Sequence, residues 1–286
     1  MASAVTALDI RISEFAGYCW GVERALTMAE EAAQSARQPV QSLGPLIHNP
    51  AVIGQLAEQG VRVIQCPAEA AGGTVIIRSH GVSREATEEL AAGGVDVVDA
   101  TCTFVKAAQE KASRLRKAGY TVVILGEPDH AEVLGIRSHA GPDAIVVERP
   151  EDLPDDLPHG KIGLVVQTTQ PYERLAALAA ALAPRARQLL VYNTICSATE
   201  QRQSAAVAMA GEVDLVIVVG GRNSGNTTRL VELCGAVQAR TYHVEAAAEL
   251  RPEWLVDARS VGVTAGASTP PDQIQAVVER LRELAP

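Results

Sequence analysis

Aromatic residues are scarce in this sequence: two Trp, two Phe and five Tyr among 286 residues. The bases of single-stranded nucleic acid stack on aromatic side chains, and a formal net charge of −9 repels a phosphate backbone. Both features argue against a nucleic-acid partner. Long apolar runs are also missing. None approaches the roughly 18 residues that span a bilayer, and the first residues hold no apolar h-region of the kind that marks a secretory signal. The expectation is a cytoplasmic chain with no membrane partner. Cysteine is sparse as well: five, an odd number, widely spaced and without a C-x-x-C pair. That is not a disulfide framework, so the thiols are expected to be buried, catalytic or metal-bound.

What the chain does contain is a repeat. Around Cys19, Cys102 and Cys196 the same grammar recurs about every ninety residues, in LDIRISEFAGYCWGVERALTMAEEA, DVVDATCTFVKAAQEKA and QLLVYNTICSATEQRQSAAVAMA. Each reads as strand, cysteine, helix. A second series places His48-Asn49, His130 with Glu132, and Asn223-Ser224-Gly225-Asn226 after strands and before helices. A third does the same with His80, Gln167-Thr168-Thr169 and Ser268-Thr269. Short β-branched runs such as VVIL, LVIVV and GLVV suit parallel strands buried on both faces.

These nine strand-to-helix turns predict an α/β fold of three similar lobes. Each is a small parallel sheet with flanking helices, and the three are arranged around a pseudo-threefold axis and a central cavity. The expected lobes are residues 20–101, 102–195 and 196–286, with the N-terminal strand within 1–19 joined to a neighbouring lobe. At 286 residues with 47% hydrophobic side chains, the chain has enough material for such cores. The Pro- and Asp-rich stretch ERPEDLPDDLPHGK, residues 148–161, is expected to be a surface connection inside the second lobe.

Ligands of open parallel sheets bind beyond the carboxyl ends of the strands, where helix N-termini offer N–H groups and a positive dipole end. Cys19, Cys102 and Cys196 lie at such ends, one per lobe, and thiols there ionise more readily. Three converging thiolates would make a metal site. A structural zinc site usually closes with four ligands, whereas three cysteines can hold a [4Fe–4S] cluster and leave one iron open to substrate. The donor set favours the cluster without excluding zinc.

The motifs YCWGVERAL, GPLIHNPAVI, SHGVS, DATC, DHAEVLG, QTT, NTICSATEQRQ, VVGGRNSGNT and GVTAGASTP, in this order from Cys19 to Ser268, resemble those of the LytB/IspH family of 4-hydroxy-3-methylbut-2-enyl diphosphate reductases. The resemblance implies a [4Fe–4S] cluster on Cys19, Cys102 and Cys196. It also implies reductive loss of an allylic hydroxyl to give isopentenyl and dimethylallyl diphosphates, the last step of non-mevalonate isoprenoid synthesis. It assigns Glu132 as the acid, with Thr168 and Asn226 ordering the hydroxyl end of the substrate. His48, His80, Ser224, Asn226 and Ser268 become diphosphate-binding residues, and His130 a residue near the phosphate or the proton path. No nicotinamide G-x-G-x-x-G fingerprint follows a strand, so the expected partners are a small allylic diphosphate and an external ferredoxin or flavodoxin donor. Cys66, Cys234, His139, His159 and His243 are expected to be structural.

Departures from the family pattern are Thr103 in place of Pro after the DATC cysteine, and Asp129 and Ala131 where Gly and Pro usually flank the histidine. Others are SHGV for AHGV, preceded by Arg78, which is expected to add positive charge, and Asn-Ser-Gly-Asn for Asn-Ser-Ser-Asn, in which Gly225 removes a hydroxyl from the diphosphate pocket. The alternatives are a paralogue performing the same dehydroxylation on another activated alcohol, and a non-catalytic iron–sulfur sensor. Glu132, Thr168 and Asn226 argue against the sensor, which needs ligands but no proton donor.

Overall fold

The structure, a computed structural model, describes residues 8–285. Along the chain run β1 (Asp9–Ile12), α1 (Trp20–Ser35), β2 (Val40–Leu43), α2 (Pro50–Glu58), β3 (Val61–Ile64), β4 (Thr74–Ile77), α3 (Arg84–Ala92), β5 (Asp96–Asp99) and α4 (Thr103–Lys117). Then come β6 (Thr121–Leu125), α5 (Ala131–Ala140), β7 (Ile145–Val147), β8 (Lys161–Val166), α6 (Tyr172–Leu182), β9 (Gln188–Val191) and α7 (Ser197–Ala210). Finally come β10 (Leu215–Val219), α8 (Gly225–Val237), β11 (Thr241–Val244), β12 (Ser260–Ala265) and α9 (Pro271–Leu284). They fall into two compact units. Of the described residues, the smaller comprises 8–20, 48–50 and 197–285, and the larger comprises 21–47 and 51–196.

The strands make three four-stranded parallel sheets, in the orders β3-β2-β4-β5, β7-β6-β8-β9 and β11-β10-β12-β1. The same series occupies the same place in each sheet. A short edge strand comes first, then the strands that lead to the second and third series of turns, then the strand that leads to a cysteine. In the sheet of the smaller unit that last place is taken by β1, which pairs with β12 in register Asp9↔Ser260 to Ile12↔Val263.

All nine predicted strand-to-helix turns are present. What the sequence did not announce is the edge strands β3, β7 and β11. Each ends in a single 3-10 turn instead of a long helix: Pro67–Glu69, Pro150–Asp152 and Ala247–Glu249. In all three the last residue of the turn reaches back four residues, so that Glu69, Asp152 and Glu249 accept from the N–H of Gln65, Glu148 and Glu245. The repeat extends to local hydrogen bonding.

Strand alternation explains why the central strands are continuous apolar runs. In β6, Val123 and Leu125 face Leu175, Leu178 and Leu182 of α6, whereas Val122 and Ile124 face Leu115 of α4 and Val133 and Ile136 of α5. In β10, Leu215, Ile217 and Val219 meet Ile274, Val277, Val278 and Leu281 of α9. Val216 and Val218 meet Ala206 and Ala210 of α7 with Leu230 and Cys234 of α8. Each such side chain contributes about 1.5–3 kcal/mol on full burial, so both faces of each sheet must be covered. The 148–161 connection runs between β7 and β8 and is largely exposed, but its Leu153 and Leu157 are buried in the core beneath it. No helix among the described residues is long and apolar enough to cross a membrane.

Candidate active site

The three cysteines are held alike. Each follows an outer strand of its sheet and directly precedes a helix, and each backbone N–H donates to the turn beyond the neighbouring strand. Cys102 bonds the Ser79 carbonyl at 2.9 Å and Cys196 that of Thr168 at 3.1 Å, both in the larger unit. Cys19 bonds that of Ala267 at 3.3 Å in the smaller unit. Each cysteine is therefore tied to the turn that carries the neighbouring predicted residues: His80, Thr168 and Ser268. All three are partly exposed and none is disulfide-bonded. Cys66 is exposed, with its thiol on Glu69 Oε1 at 3.6 Å. Cys234 is a core side chain whose thiol burial pushes up to about 11, which suits an inert hydrophobe.

In the larger unit the turn after β6 meets the turn after β8. Glu132, the second residue of α5, is 1% exposed, in contrast to the solvated carboxylates common in a first helical turn. Thr168 donates its backbone N–H to Glu132 Oε1 at 2.7 Å and its hydroxyl to Oε2 at 2.9 Å. Burial raises the Glu132 carboxyl to about 7, against the two Thr168 hydrogen bonds that favour its ionised form, with the Glu127 charge adding to the rise. A carboxyl titrating there can hold a proton near neutral pH and release it.

His130 caps the same helix. Its Nδ1 accepts from the Glu132 N–H at 3.1 Å, which makes Nδ1 the acceptor and leaves Nε2 as the protonated nitrogen. Burial and, after it, the Arg78 charge hold His130 down to about 4, so it is neutral at physiological pH. Its ring meets the His80 ring edge-on, with centroids 5.5 Å apart. Gln167, fully buried, accepts from the Glu127 N–H at 3.0 Å and so fixes the loop that leads to His130 and Glu132.

His80 sits in a tight turn after β4. Gly81, at φ +71°, donates to the Arg78 carbonyl at 2.9 Å, and Arg78 Nε returns a bond to the Gly81 carbonyl at 3.2 Å. A side chain at Gly81 would be strained by that φ and would also press on Gln109 Nε2, 2.8 Å from its Cβ. The Ser79 hydroxyl anchors the same turn on the Leu46 carbonyl at 2.8 Å.

In the smaller unit the His48-Asn49 segment is bonded to the turn after β12. The Ser268 hydroxyl donates to the His48 carbonyl at 3.2 Å. Asn49 Nδ2 donates to the Ser268 carbonyl and to Gln273 Oε1, each at 3.0 Å. Gln273 in turn donates to the Glu245 carbonyl. Ser224 is the N-cap of α8, accepting from the Thr227 N–H at 3.4 Å, and Gly225 is the first residue of that helix. Asn226 accepts from the Ala267 N–H at 3.1 Å, while its buried Nδ2 has no hydrogen-bond partner among the described residues. A buried unsatisfied amide is costly, on the order of 1–3 kcal/mol, and marks a donor available to a ligand.

Within the larger unit the structure thus brings Glu132, Thr168 and His130 together, with His80 against His130 and Cys196 bonded to Thr168. Within the smaller one it joins His48 to Ser268 and sets Ser224 and Asn226 at the start of α8. His139 and His243 are occupied structurally, on the carbonyls of Gly135 and Gly220, and His159 is exposed. Sequence reasoning missed Gln167 as an anchor, and the pair Asn49 and Gln273. Superposing the three repeats would have pointed to Gln167, which stands in the third series beside Thr168. Nothing local pairs residues 49 and 273.

The family model described as "LytB protein" matches residues 10–282. The 4-hydroxy-3-methylbut-2-enyl diphosphate reductase of Geobacter metallireducens is 46% identical over 97% of this chain and 98% of its own. The protein of that name from Aquifex aeolicus is 43% identical over 97% of each. Among solved structures, one described as (E)-4-hydroxy-3-methyl-but-2-enyl diphosphate reductase, the terminal enzyme of the non-mevalonate pathway, is 43% identical with a TM-score of 0.71, over 96% of this chain and 99% of that one. The E-1-hydroxy-2-methyl-but-2-enyl-4-diphosphate reductase of Plasmodium falciparum is 26% identical with a TM-score of 0.90, over 96% and 87%.

Proposed function

Because the chain belongs to the LytB family, we propose that it reductively removes the allylic hydroxyl of (E)-4-hydroxy-3-methylbut-2-enyl diphosphate to give isopentenyl and dimethylallyl diphosphates. The observation that carries this beyond similarity is the buried Glu132 carboxyl, raised to about 7 and clasped by Thr168, whose carbonyl also holds the backbone of Cys196. A proton donor is thereby attached to a cysteine turn.

Hydroxide is a poor leaving group. In this reading Glu132 delivers the proton that lets it depart as water. Thr168 holds the carboxyl in place, and Asn226, with its unspent amide donor, orders the hydroxyl end of the substrate. His48, His80, Ser224, Asn226 and Ser268 bind the diphosphate, and neutral His130 offers its Nε2–H to a phosphate oxygen or to the proton path. Burial of Glu132 excludes bulk water from the proton it holds.

Cys19, Cys102 and Cys196 would hold a [4Fe–4S] cluster. They suit it: three unbridged thiols, each at a helix N-terminus and each partly accessible. When bound, such a cluster supplies electrons one at a time and a Lewis-acidic iron. We place the enzyme in the cytoplasm, supplied by a ferredoxin or flavodoxin, and keep residues 20–101, 102–195 and 196–286 as its three lobes.

The test is anaerobic purification followed by iron and sulfide analysis, electron paramagnetic resonance of the reduced protein, and turnover of the allylic diphosphate with a strong reductant. Cluster-loaded protein that consumes none of this substrate would refute the assignment.

A further inference from the structure

The three repeats align residue by residue beyond their strands. After β2, β6 and β10 come Gly44, Gly126 and Gly220, whose N–H groups bond the edge-strand carbonyls of Ile64, Val147 and Val244. After β4, β8 and β12 come Arg78, Gln167 and Gly266, each one residue before the carbonyl that holds a cysteine. In the second repeat Gln167 packs on Gly126 and braces the loop carrying His130 and Glu132. In the first, the matching residue is a cation. A Cβ on Gly44, which has φ +73°, would collide with Arg78 Nη1, so the glycine is what lets the guanidinium lie there.

No carboxylate pairs with Arg78 among the described residues. Its one hydrogen bond given above goes to the Gly81 carbonyl, and burial lowers its pKa. Its charge also falls on His130. A partly desolvated arginine without a carboxylate is expensive unless an anion completes it, and the residues beside it, His80 and His130, are those read above as facing phosphate.

We propose that Arg78 is an electrostatic positioning residue of the diphosphate site: held over Gly44 and tied to Gly81, it supplies the positive charge that draws the diphosphate onto His80 and His130. The inference rests on the functional reading above and adds to it a residue that reading does not use. Arg78 acts through charge and through the His80 turn it closes, without being required to touch the reacting atoms.

Inorganic diphosphate titrated calorimetrically into the cluster-loaded enzyme tests this, with KM and kcat for the allylic diphosphate measured alongside. Arg78→Gln is expected to weaken diphosphate binding and raise KM about tenfold or more, with a smaller fall in kcat. Arg78→Lys should retain most of the affinity, and added salt should weaken the wild type more steeply than Arg78→Gln. Arg78→Met, which keeps an apolar stem over Gly44 and drops the charge, serves if Arg78→Gln does not fold. Wild-type affinity in the neutral variants overturns the proposal. So does Arg78→Lys binding as poorly as they do, since shape alone would then matter. If the wild type binds diphosphate, the neutral variants bind it weakly and yet no allylic diphosphate is consumed, the functional reading fails while the Arg78 assignment stands.

Discussion

Thr168 donates twice to Glu132, backbone N–H to one carboxylate oxygen at 2.7 Å and hydroxyl to the other at 2.9 Å. Both bonds stabilise the anion, yet burial outweighs them and leaves the carboxyl near 7. As the acid of the reaction, Glu132 should be replaceable by Gln without loss of the cluster or of substrate binding but with a fall in kcat of about 10²–10⁴-fold. Iron content, product affinity and single-turnover rates measure the three separately. A fall of less than tenfold would place the proton on another group, such as the substrate's own diphosphate.

The same carboxyl makes stability depend on pH. Its folded pKa lies above the usual value of 4.5, so the folded state holds the proton more tightly. That contribution is complete below about pH 4.5 and is lost as pH rises through about 7, a change on the order of 3 kcal/mol. Glu132→Gln removes the titration. The variant should match the wild type in denaturation midpoint near pH 5 and exceed it at pH 8. Parallel curves for the two proteins would show that the carboxyl is not desolvated as described.

Replacing Thr168 by Val removes the hydroxyl donor and keeps the backbone one. A hydrogen bond to a charged group is worth about 1.5–3 kcal/mol, or roughly one to two pKa units, and here its loss disfavours the anion. The Glu132 pKa should rise, and the alkaline limb of the kcat profile should move to higher pH, while Thr168→Ser leaves it in place. A limb that moves to lower pH in the Val variant contradicts the geometry.

The fold was largely legible in the sequence because central parallel strands buried on both faces, such as β6, β8 and β10, are continuous apolar runs, while the outer strands β1, β5 and β9 were marked by the recurring cysteine that follows each of them. The edge strands β3, β7 and β11 escaped notice for a physical reason. They are followed by single 3-10 turns instead of helices, so no helical period announces them. Within the site, Glu132 and Thr168 stood in motifs that could be read separately, but their contact spans 36 positions. Asn49 and Gln273 are 224 positions apart, and such a pairing is created only by packing. Arg78 registered as a departure from a motif that would add positive charge, with no sign of where that charge lies. Its meaning depends on Gly44 making room for it.

The cysteines separate into two classes that metal analysis can distinguish. Serine at Cys19, Cys102 or Cys196 should lower the iron content of anaerobically purified protein, because each supplies one of three thiolates at a helix N-terminus. Serine at Cys66, which is exposed, should leave iron unchanged. Cys234 is buried and has its thiol raised to about 11, so Cys234→Ala should cost some stability without loss of iron. A full complement of iron in any of the first three variants would remove that cysteine from the ligand set.

Gly225 opens α8 immediately after the Ser224 cap, is buried, and does not have a positive φ. A serine there meets no φ penalty, so Gly225→Ser tests chemistry without backbone strain. The added hydroxyl would stand between Ser224 and Asn226, both read as diphosphate ligands. A hydroxyl bonded to a charged phosphate oxygen contributes about 1.5–3 kcal/mol, and each 1.4 kcal/mol is roughly tenfold in affinity. If the allylic diphosphate is the substrate, Gly225→Ser should lower KM about tenfold or more while kcat changes little, since the interaction is equal in ground and transition states. If the space beside Gly225 instead accommodates a bulkier substrate, the serine should obstruct that molecule and raise its KM. Anaerobic steady-state kinetics of both proteins with the allylic diphosphate decide between these outcomes. An unchanged KM, with efficient wild-type turnover, would mean that Ser224, Ser268 and the histidines already saturate the phosphate oxygens and that Gly225 has no bearing on substrate choice.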